Sequence, residues 1–531
     1  MSSAPPGSTR LLSVVSRFDA GRFIGAEVLL VVAVAACFSR SQSDTYWHLA
    51  AGRAMAQSGQ VLLTDIFSHT NFGARWANYE WLSQVVFYHV HSLGGMPLLT
   101  AMCAALSFGS CVLAWRLIRG SVEDRTLILA SLLPLITPSW SLRPQAFTMF
   151  LLLVVVHLAL RDRLLLLAPI FILWANLHGA VVLGLVVLAA DVLVAVASGS
   201  GRRRSMARAL ICLGATLLTP LGPSLWSEVW QSVIRSSVNQ ITEWMPPTLA
   251  PRYAFFWITV LVFMWSLMTR WARVVRREER IVVVGAILML VLAVRASRNI
   301  VPFGLMAGPA LSVLAWRAKV EPRPHADSRF NLPTVLRVLC FVLSLMGAIF
   351  VVHRRWTSIP APADWVPISS EAASAIRACP GPIYNHFDVG GFIIWFVPEQ
   401  KVFLDSRHNP YPDDLQRAQR EARTPAALRE VTERYGIRCA VVEVGSFESS
   451  GLRLGGWAVT YQDARWIVMV PPAEAQRRDR LDGSHGYATG RESTSARPRE
   501  PAARTVRPGA PARPTGLRET PLSSHRAGGA R

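Results

Sequence analysis

Apolar and polar positions fall in long blocks, with a period set by whole helices rather than by the faces of a soluble domain. After a polar, basic opening (residues 1–22), the stretch Phe23–Phe38 is apolar except for Glu27 and predicts a first membrane-spanning helix. A cleavable signal peptide competes for this segment, but no small-residue cleavage site precedes Asp44 cleanly. Apolar runs recur near 97–118, 126–138, 145–160, 164–177, 180–197, 209–222, 254–269, 281–294, 300–316 and 333–352, which gives eleven expected spans. Several are shorter than the roughly 20 residues a bilayer requires.

The pattern changes after residue 352. Between 353 and 475 the apolar runs shrink to strand length: Pro382–Tyr384, Lys401–Leu404, Cys439–Val444, Ala458–Tyr461 and Trp466–Val470. Helical patterns at 369–378, 412–422 and 424–435 separate them, so a small α/β domain is expected here. Asp388-Val-Gly390-Gly391 fits neither dinucleotide nor P-loop spacing and reads as a strand-to-helix turn. From 476 to 531 the chain is rich in Arg, Pro, Gly and Ser, carries 12 Arg against 5 acidic residues, and is expected to be disordered because it cannot bury a core.

Composition agrees with the blocks. Charged residues are 17% of the chain, against about 25% in soluble domains. Apolar residues are 51% and mean hydropathy is +0.31, which excludes an ordinary soluble enzyme, a disordered protein and a coiled coil. The fold class expected is mainly α: a polytopic helical bundle (residues 23–352) carrying a small extracytoplasmic α/β domain. The net charge of +21 comes almost wholly from Arg, since Lys319 and Lys401 are the two lysines. No basic stripe carries stacking aromatics, so nucleic acid is not an expected partner.

Charge placement orients the spans. The loops 119–125, 161–163, 200–208, 270–280 and 317–329 hold 17 Lys and Arg in 43 residues, whereas the alternate loops hold 8 in 103. Cytoplasmic loops are the basic ones, so the N-terminus is expected inside. An odd number of spans then puts 353–475 outside, in a multi-pass protein of the cell membrane. Cys379 and Cys439 are free to pair if that region is exported, and the sequence leaves both states open.

Polar residues collect on the outer face. The first outer loop, 39–96, holds Asp44-Thr-Tyr-Trp47-His48, then Thr64-Asp65, then Glu80-Trp81, followed by an amphipathic run to Val90 that reads as an interfacial helix. Arg143 and Gln145 lie at one later outer turn, Asn176 and His178 at the next, Glu243-Trp244 in the longest later outer loop, and Arg298-Asn299 before the tenth span. Taken singly, each has a plain structural explanation, such as a helix cap or a snorkelling Arg. Together they bring ionisable groups from distant segments to one leaflet, which favours a functional reading. Transfer of a sugar from a lipid-borne phosphate needs a carboxylate to take a hydroxyl proton and cations for the departing phosphate. Asp44, Asp65 and Glu80 are the candidate catalytic carboxylates. His48, Arg143, Asn176, His178, Glu243, Arg298 and Asn299 are the candidate substrate-binding groups.

The stretch Asp44-Thr-Tyr-Trp-His-Leu-Ala-Ala-Gly-Arg, with Thr64-Asp-Ile-Phe-Ser-His-Thr and Tyr79-Glu-Trp-Leu, resembles a large family of bacterial polytopic membrane proteins. That family is grouped with the GT-C superfamily of polyprenyl-phosphate-sugar glycosyltransferases, near the protein mannosyltransferase and aminoarabinose transferase types. Trp174-Ala-Asn-Leu-His-Gly, Leu218-Thr-Pro-Leu-Gly222, Phe387-Asp-Val-Gly-Gly-Phe-Ile-Ile-Trp395 and Lys401-Val-Phe-Leu-Asp-Ser-Arg407 carry the same resemblance. It implies that Asp44, just after the first helix, is the catalytic or metal-binding acid, here the base. It also implies a polyprenyl-phosphate-linked sugar as donor, and a glycan, lipid or protein as acceptor. The acidic pair common in such enzymes is absent, since Thr45 follows Asp44, so a divalent metal stays an open question and no cofactor is fixed. Asp405-Ser-Arg407 reads either as a contact to the acceptor or a closure of the membrane cavity, or as a plain buried ion pair. The rival expectation is a non-catalytic polytopic protein or transporter on a related scaffold. Glu27 and Asp191 are the only acids inside expected spans and no repeat is seen, which weighs against a proton-coupled transporter.

Overall fold

The computed structural model describes residues 20–238, 242–316, 334–472 and 474, so the expected basic tail and most of the N-terminal segment lie outside the described residues. The described chain forms one compact unit. Its helical part runs α1 (Ala20–Ala36), α2 (Ser43–Ser58), α3 (Trp81–Leu117), α4 (Val122–Ile136), α5 (Gln145–Leu160), α6 (Leu164–Leu177) and α7 (Val182–Ser198). It continues through α8 (Arg202–Ala215), α9 (Ser224–Val238), α10 (Ala254–Arg270), α11 (Arg277–Arg295), α12 (Ile300–Trp316) and α13 (Thr334–Thr357).

Every expected apolar run contains helix, but length and composition do not establish eleven crossings. Among the described residues, Trp81–Leu117, Gly179–Ser198, Pro251–Arg270 and Ser297–Ala315 are long and apolar enough to cross a membrane. Phe23–Ala36, Gln145–Leu160 and Leu164–Leu177 are shorter apolar helices, and 14 to 16 residues at about 1.5 Å per residue fall short of a hydrocarbon layer about 30 Å thick. The run expected at 209–222 is helical only to Ala215; the helix starts at Arg202, and Pro220 and Gly222 fall in the turn that follows. Within α3, Gly94 (φ −154°) and Gly95 (φ 63°) break the helix, separating the amphipathic segment that starts at Trp81 from the apolar one beyond Met96. Asp191, in the middle of α7, is buried and meets Arg277 at 2.6 Å and Arg208 at 3.6 Å, so its charge is compensated.

The α/β part holds α14 (Ser370–Arg377), β1 (Ile383–Tyr384), α15 (Phe387–Phe396), α16 (Asp413–Glu421), α17 (Pro425–Arg434), β2 (Cys439–Glu443), α18 (Phe447–Leu454), β3 (Ala458–Gln462) and β4 (Trp466–Val470). The sheet order is β1-β2-β4-β3, parallel between β1 and β2 and antiparallel elsewhere. Ser369, Thr424 and Ser446 cap α14, α17 and α18 by accepting a backbone N–H three residues on. Cys379 and Cys439 form a disulfide that closes a loop of sequence separation 60.

Two expectations are corrected. Asp388–Gly391 is no turn; it lies inside α15, capped by His386. Its glycines serve close approach: a Cβ on Gly390 would meet the Asp405 Cβ at 2.7 Å, and one on Gly391 would press on the Ser43 carbonyl group in α2. Lys401–Leu404 is extended but joins no sheet strand. It pairs instead with the first outer loop, Val402 N–H donating to Phe67 O at 3.0 Å and His69 N–H to Val402 O at 3.0 Å. The Thr70 hydroxyl donates to Phe403 O, and the Asn71 amide to Pro410 O. The outer loop is thereby sewn into the α/β part.

Candidate functional site

A cavity of about 570 Å³ lies where α2, turns between the bundle helices and the α/β part meet. The sequence brings Asp44 there through α2, whose first turn it occupies and whose backbone N–H groups favour a carboxylate. Thr45 fixes that turn, its hydroxyl accepting from Gln42 N–H at 3.1 Å and donating to Leu142 O at 2.8 Å. The second contact ties α2 to the segment carrying Arg143. The Asp44 carboxylate meets Arg143 at 2.7 Å, and accepts from Trp47 Nε1 at 3.2 Å and from the Ser406 hydroxyl. Burial pushes its pKa up, but the Arg143 charge and the Ser406 hydrogen bond outweigh this and leave it below the usual value. Asp44 is therefore held as the anion.

Arg143 reaches Glu243 at 3.9 Å, and Glu243 reaches Arg298 at 3.7 Å. The loop carrying Glu243 is fixed by Ser297 N–H donating to Met245 O at 3.0 Å, and Arg298 lies over the Trp244 ring at 4.2 Å. On the other side, Glu80 meets His178 Nε2 at 3.1 Å and His48 Nε2 at 3.7 Å. The Thr148 hydroxyl lies 2.8 Å from His178 Nδ1 and accepts from Trp174 Nε1 at 2.9 Å. A hydroxyl that already accepts there is suited to donate to Nδ1, which places the His178 proton on Nε2, toward Glu80. Despite burial, the His178 hydrogen bond keeps the Glu80 pKa below the usual value. Burial lowers the His48 pKa to about 4, so His48 is neutral, and its Nδ1 is buried with no hydrogen-bond partner.

Asp44, His48, Glu80, Arg143, His178, Glu243 and Arg298 thus line one chamber. Three other expected site residues stand apart from it. Asp65 is 0% exposed and forms a buried cluster with Arg407 at 2.7 Å, while its other oxygen accepts from Ser68. Arg407 also holds Asp405 at 2.7 Å, and the Tyr411 hydroxyl donates to Asp405 at 2.6 Å, so Asp405-Ser-Arg407 carries a buried ion pair while Ser406 and Arg407 line the chamber. Asn176 accepts from Trp81 Nε1 at 2.8 Å and donates to the carbonyls of Ile172 and Leu218, so its amide is spent on packing. Asn299 donates to Leu292 O at 3.1 Å and lines a neighbouring cavity. The residues not anticipated are Ser406, Asp388, Glu443 and Arg465 from the α/β part, with Arg465 meeting Glu443 at 3.1 Å. Ser406 carried one signal, its place between two charged residues just after an apolar run.

That neighbouring cavity, of about 440 Å³, shares Gln42, Arg143, Gln145, His178, Glu243 and Arg298 with the first. Its remaining walls are largely apolar, with Leu135, Met149, Leu183, Phe256 and Ile300 from the bundle helices. A charged chamber and an apolar one therefore meet at a partition built from Arg143 and Arg298. As to a metal, no group of three or more His, Cys, Asp or Glu among the described residues is placed to hold one. The Asp44 and Glu80 carboxylates are instead engaged by Arg143 and His178, so the donor set does not fit such an ion.

No protein-family model matches the chain, and no curated protein matches its sequence. Solved structures do match in fold. The archaeal oligosaccharyltransferase AglB from Archaeoglobus fulgidus, in complex with an inhibitory peptide and a dolichol-phosphate, aligns with TM-score 0.53 at 11% identity, over 79% of this chain and 69% of that one. The Archaeoglobus fulgidus oligosaccharyltransferase in the apo form aligns with TM-score 0.50 at 12% identity over the same shares. At such identity the likeness concerns the fold alone.

Proposed function

We propose that this chain is an integral membrane glycosyltransferase that moves a sugar from a polyprenyl-phosphate donor to an acceptor on the outer face of the membrane. The observation that carries this reading is the partition between the two cavities. A polyprenyl tail suits the apolar cavity, the sugar suits the charged one, and the phosphate joining them falls beside Arg143 and Arg298. The fold likeness to an oligosaccharyltransferase solved with a dolichol-phosphate supports the same assignment. The outward face is supported by the scarcity of Lys and Arg in the loops on that side, 8 in 103 residues against 17 in 43 in the opposite set, and by the Cys379–Cys439 disulfide, a bond that persists in oxidising compartments.

In this reading, Arg143 and Arg298 neutralise the phosphate as its bond to the sugar lengthens. Their bonds to Glu243, at 3.7 and 3.9 Å, are long enough to be exchanged for phosphate oxygens. Asp44, kept ionised, faces the anomeric carbon as it becomes positive and holds Arg143 toward the phosphate. A carboxylate with a depressed pKa is a weak proton acceptor, so Asp44 acts here mainly by its charge. Glu80, oriented by His178, is placed to hold sugar hydroxyls. No step is routed through a metal.

The test is replacement of the chromosomal gene by Asp44→Asn, with envelope glycans compared among wild type, deletion and variant. The glycan missing in the deletion should also be missing in the variant. Binding of farnesyl phosphate to the purified chain should weaken at least tenfold in Arg143→Ala combined with Arg298→Ala. Unchanged glycans in both strains, or unchanged binding, would refute the reading.

A further inference from the structure

We infer that a groove of about 850 Å³ on the α/β part, opening from the charged chamber, receives a saccharide chain as the acceptor, and that Asp388 at the junction takes the proton of its attacking hydroxyl. This rests on the donor assignment above. The groove and the chamber share Glu243, Phe387, Asp388 and His408, so a chain lying in one ends in the other, beside the place given to the sugar carbon.

The groove has the chemistry of a carbohydrate subsite. Phe387 stands between two imidazoles, His386 with ring centroids 4.4 Å away and His408 at 5.6 Å, and Phe447 is 41% exposed. Flat ring faces with polar edges match the C–H faces and hydroxyls of a sugar. The guanidinium of Arg420 adds fixed donors for hydroxyl or carboxylate oxygens. An extended peptide would instead seek a sheet edge or deep apolar pockets. Of the two edge strands, β1 is two buried residues and β3 is the more exposed Ala458–Gln462, and neither contributes a residue to the groove.

Asp388 differs from the other carboxylates of the chamber. Asp44 is held by Arg143, Glu80 by His178, Glu243 by two guanidiniums and Glu443 by Arg465. Among the described residues Asp388 has no guanidinium partner; its ionic contact is His386 at 3.5 Å. Its side chain is 66% exposed, open to the cavity at the junction. Partial desolvation by the cavity walls pushes its pKa up against the pull of His386, and the Asp44 charge pushes it further, which makes it the better proton acceptor of the two. In the step, the acceptor hydroxyl oxygen bonds to the anomeric carbon and the bond from that carbon to the phosphate oxygen breaks. Its electron pair leaves with the phosphate, and the hydroxyl proton passes to Asp388.

The full chain in lipid nanodiscs is titrated with defined neutral, N-acetylated and uronic oligosaccharides, and with a pool of extended peptides. At least one oligosaccharide class should bind saturably. Phe387→Ala and Arg420→Ala should weaken it at least tenfold, and Asp388→Asn by less than twofold. Farnesyl phosphate binding should be unchanged in all three variants. Binding of peptides alone, or oligosaccharide binding untouched by Phe387→Ala and Arg420→Ala, overturns the groove. In cells, Asp388→Asn should cut the glycan product at least 100-fold and Asp388→Glu should restore part of it; wild-type product from Asp388→Asn overturns the proton role. Failure of farnesyl phosphate to bind the wild-type chain would instead remove the donor assignment and with it the role of Asp388, whereas oligosaccharide binding reads the groove by itself.

Discussion

Gly391→Ala tests whether the two parts of the molecule share one site. Alanine in a helix interior is normally favoured over glycine by about 1 kcal/mol, so α15 considered alone would gain stability. At this position a Cβ would press hardest on the Ser43 carbonyl oxygen, and would lie 2.7 Å from Ser43 Oγ and 2.8 Å from the Ser43 carbonyl carbon. Ordinary carbon contacts begin near 3.5 Å, so α15 and α2 must separate by at least about 1 Å. The same shift stretches the 3.0 Å hydrogen bond from Gly391 N–H to Ser43 Oγ. Overpacking of this kind costs roughly 1–3 kcal/mol, which outweighs the propensity gain. The activity penalty should be larger than the stability penalty. Asp44 follows Ser43 directly, and misplacement of a reacting group by about 1 Å costs on the order of 100-fold in rate. Thermal melts of the detergent-solubilised chain, with glycan product measured in cells, would read both effects. The expected result is a folded protein, slightly less stable, with product reduced about 100-fold. Wild-type product from a folded Gly391→Ala chain would refute the idea that the α2–α15 contact positions Asp44.

Arg407→Met leaves Asp65 and Asp405 uncompensated in a site that is 0% exposed, and should destabilise the chain by about 3–5 kcal/mol in denaturant titration. His48 carries a folded-state pKa of about 4, below its ordinary value of 6.5, so the unfolded chain binds the extra proton between those values and stability falls as pH drops through that window. The loss attributable to His48 is about 3 kcal/mol at most, and melts of His48→Gln between pH 7 and pH 4.5 should show a correspondingly weaker acid dependence. Arg143→Ala removes the charge that holds the Asp44 pKa down, so in any transfer assay the limb where activity is lost on acidification should move to higher pH. Replacing Cys379 and Cys439 by Ala opens a loop of sequence separation 60 and should cost about 4 kcal/mol, judged by thermal melting.

Much of the chamber was readable because its residues interrupt apolar blocks. Asp44, Glu80, Arg143, His178 and Arg298 each sit beside the end of an apolar run, and the fold brings those ends together. Asp65 shows the limit of that logic. It shares the outer loop with Asp44, but its partner Arg407 lies 342 positions away, and nothing local reveals a pairing of that range. Asn176 likewise looked like a binding group because the carbonyl of Leu218 that absorbs its amide comes from a later segment. Lys401–Leu404 has strand composition, but composition does not say which backbone it will meet, and here that is Phe67–His69. Phe387–Phe396 is a short apolar run with two glycines, where periodicity does not separate helix from strand. Asp388 and Ser406 belong to the α/β part, and only the folding of that part over α2 makes them neighbours of Asp44.

The bonds between the Phe67–Asn71 loop and residues 383–410 also set an order of events in biosynthesis. The ribosome makes this loop more than 300 residues before its partners exist. Until the C-terminal half has been synthesised and has docked, Asp44 lacks Ser406, and the Asp65 carboxylate waits without Arg407. A nascent or prematurely terminated chain thus lacks the finished chamber, and synthesis of the α/β part is the step that closes it.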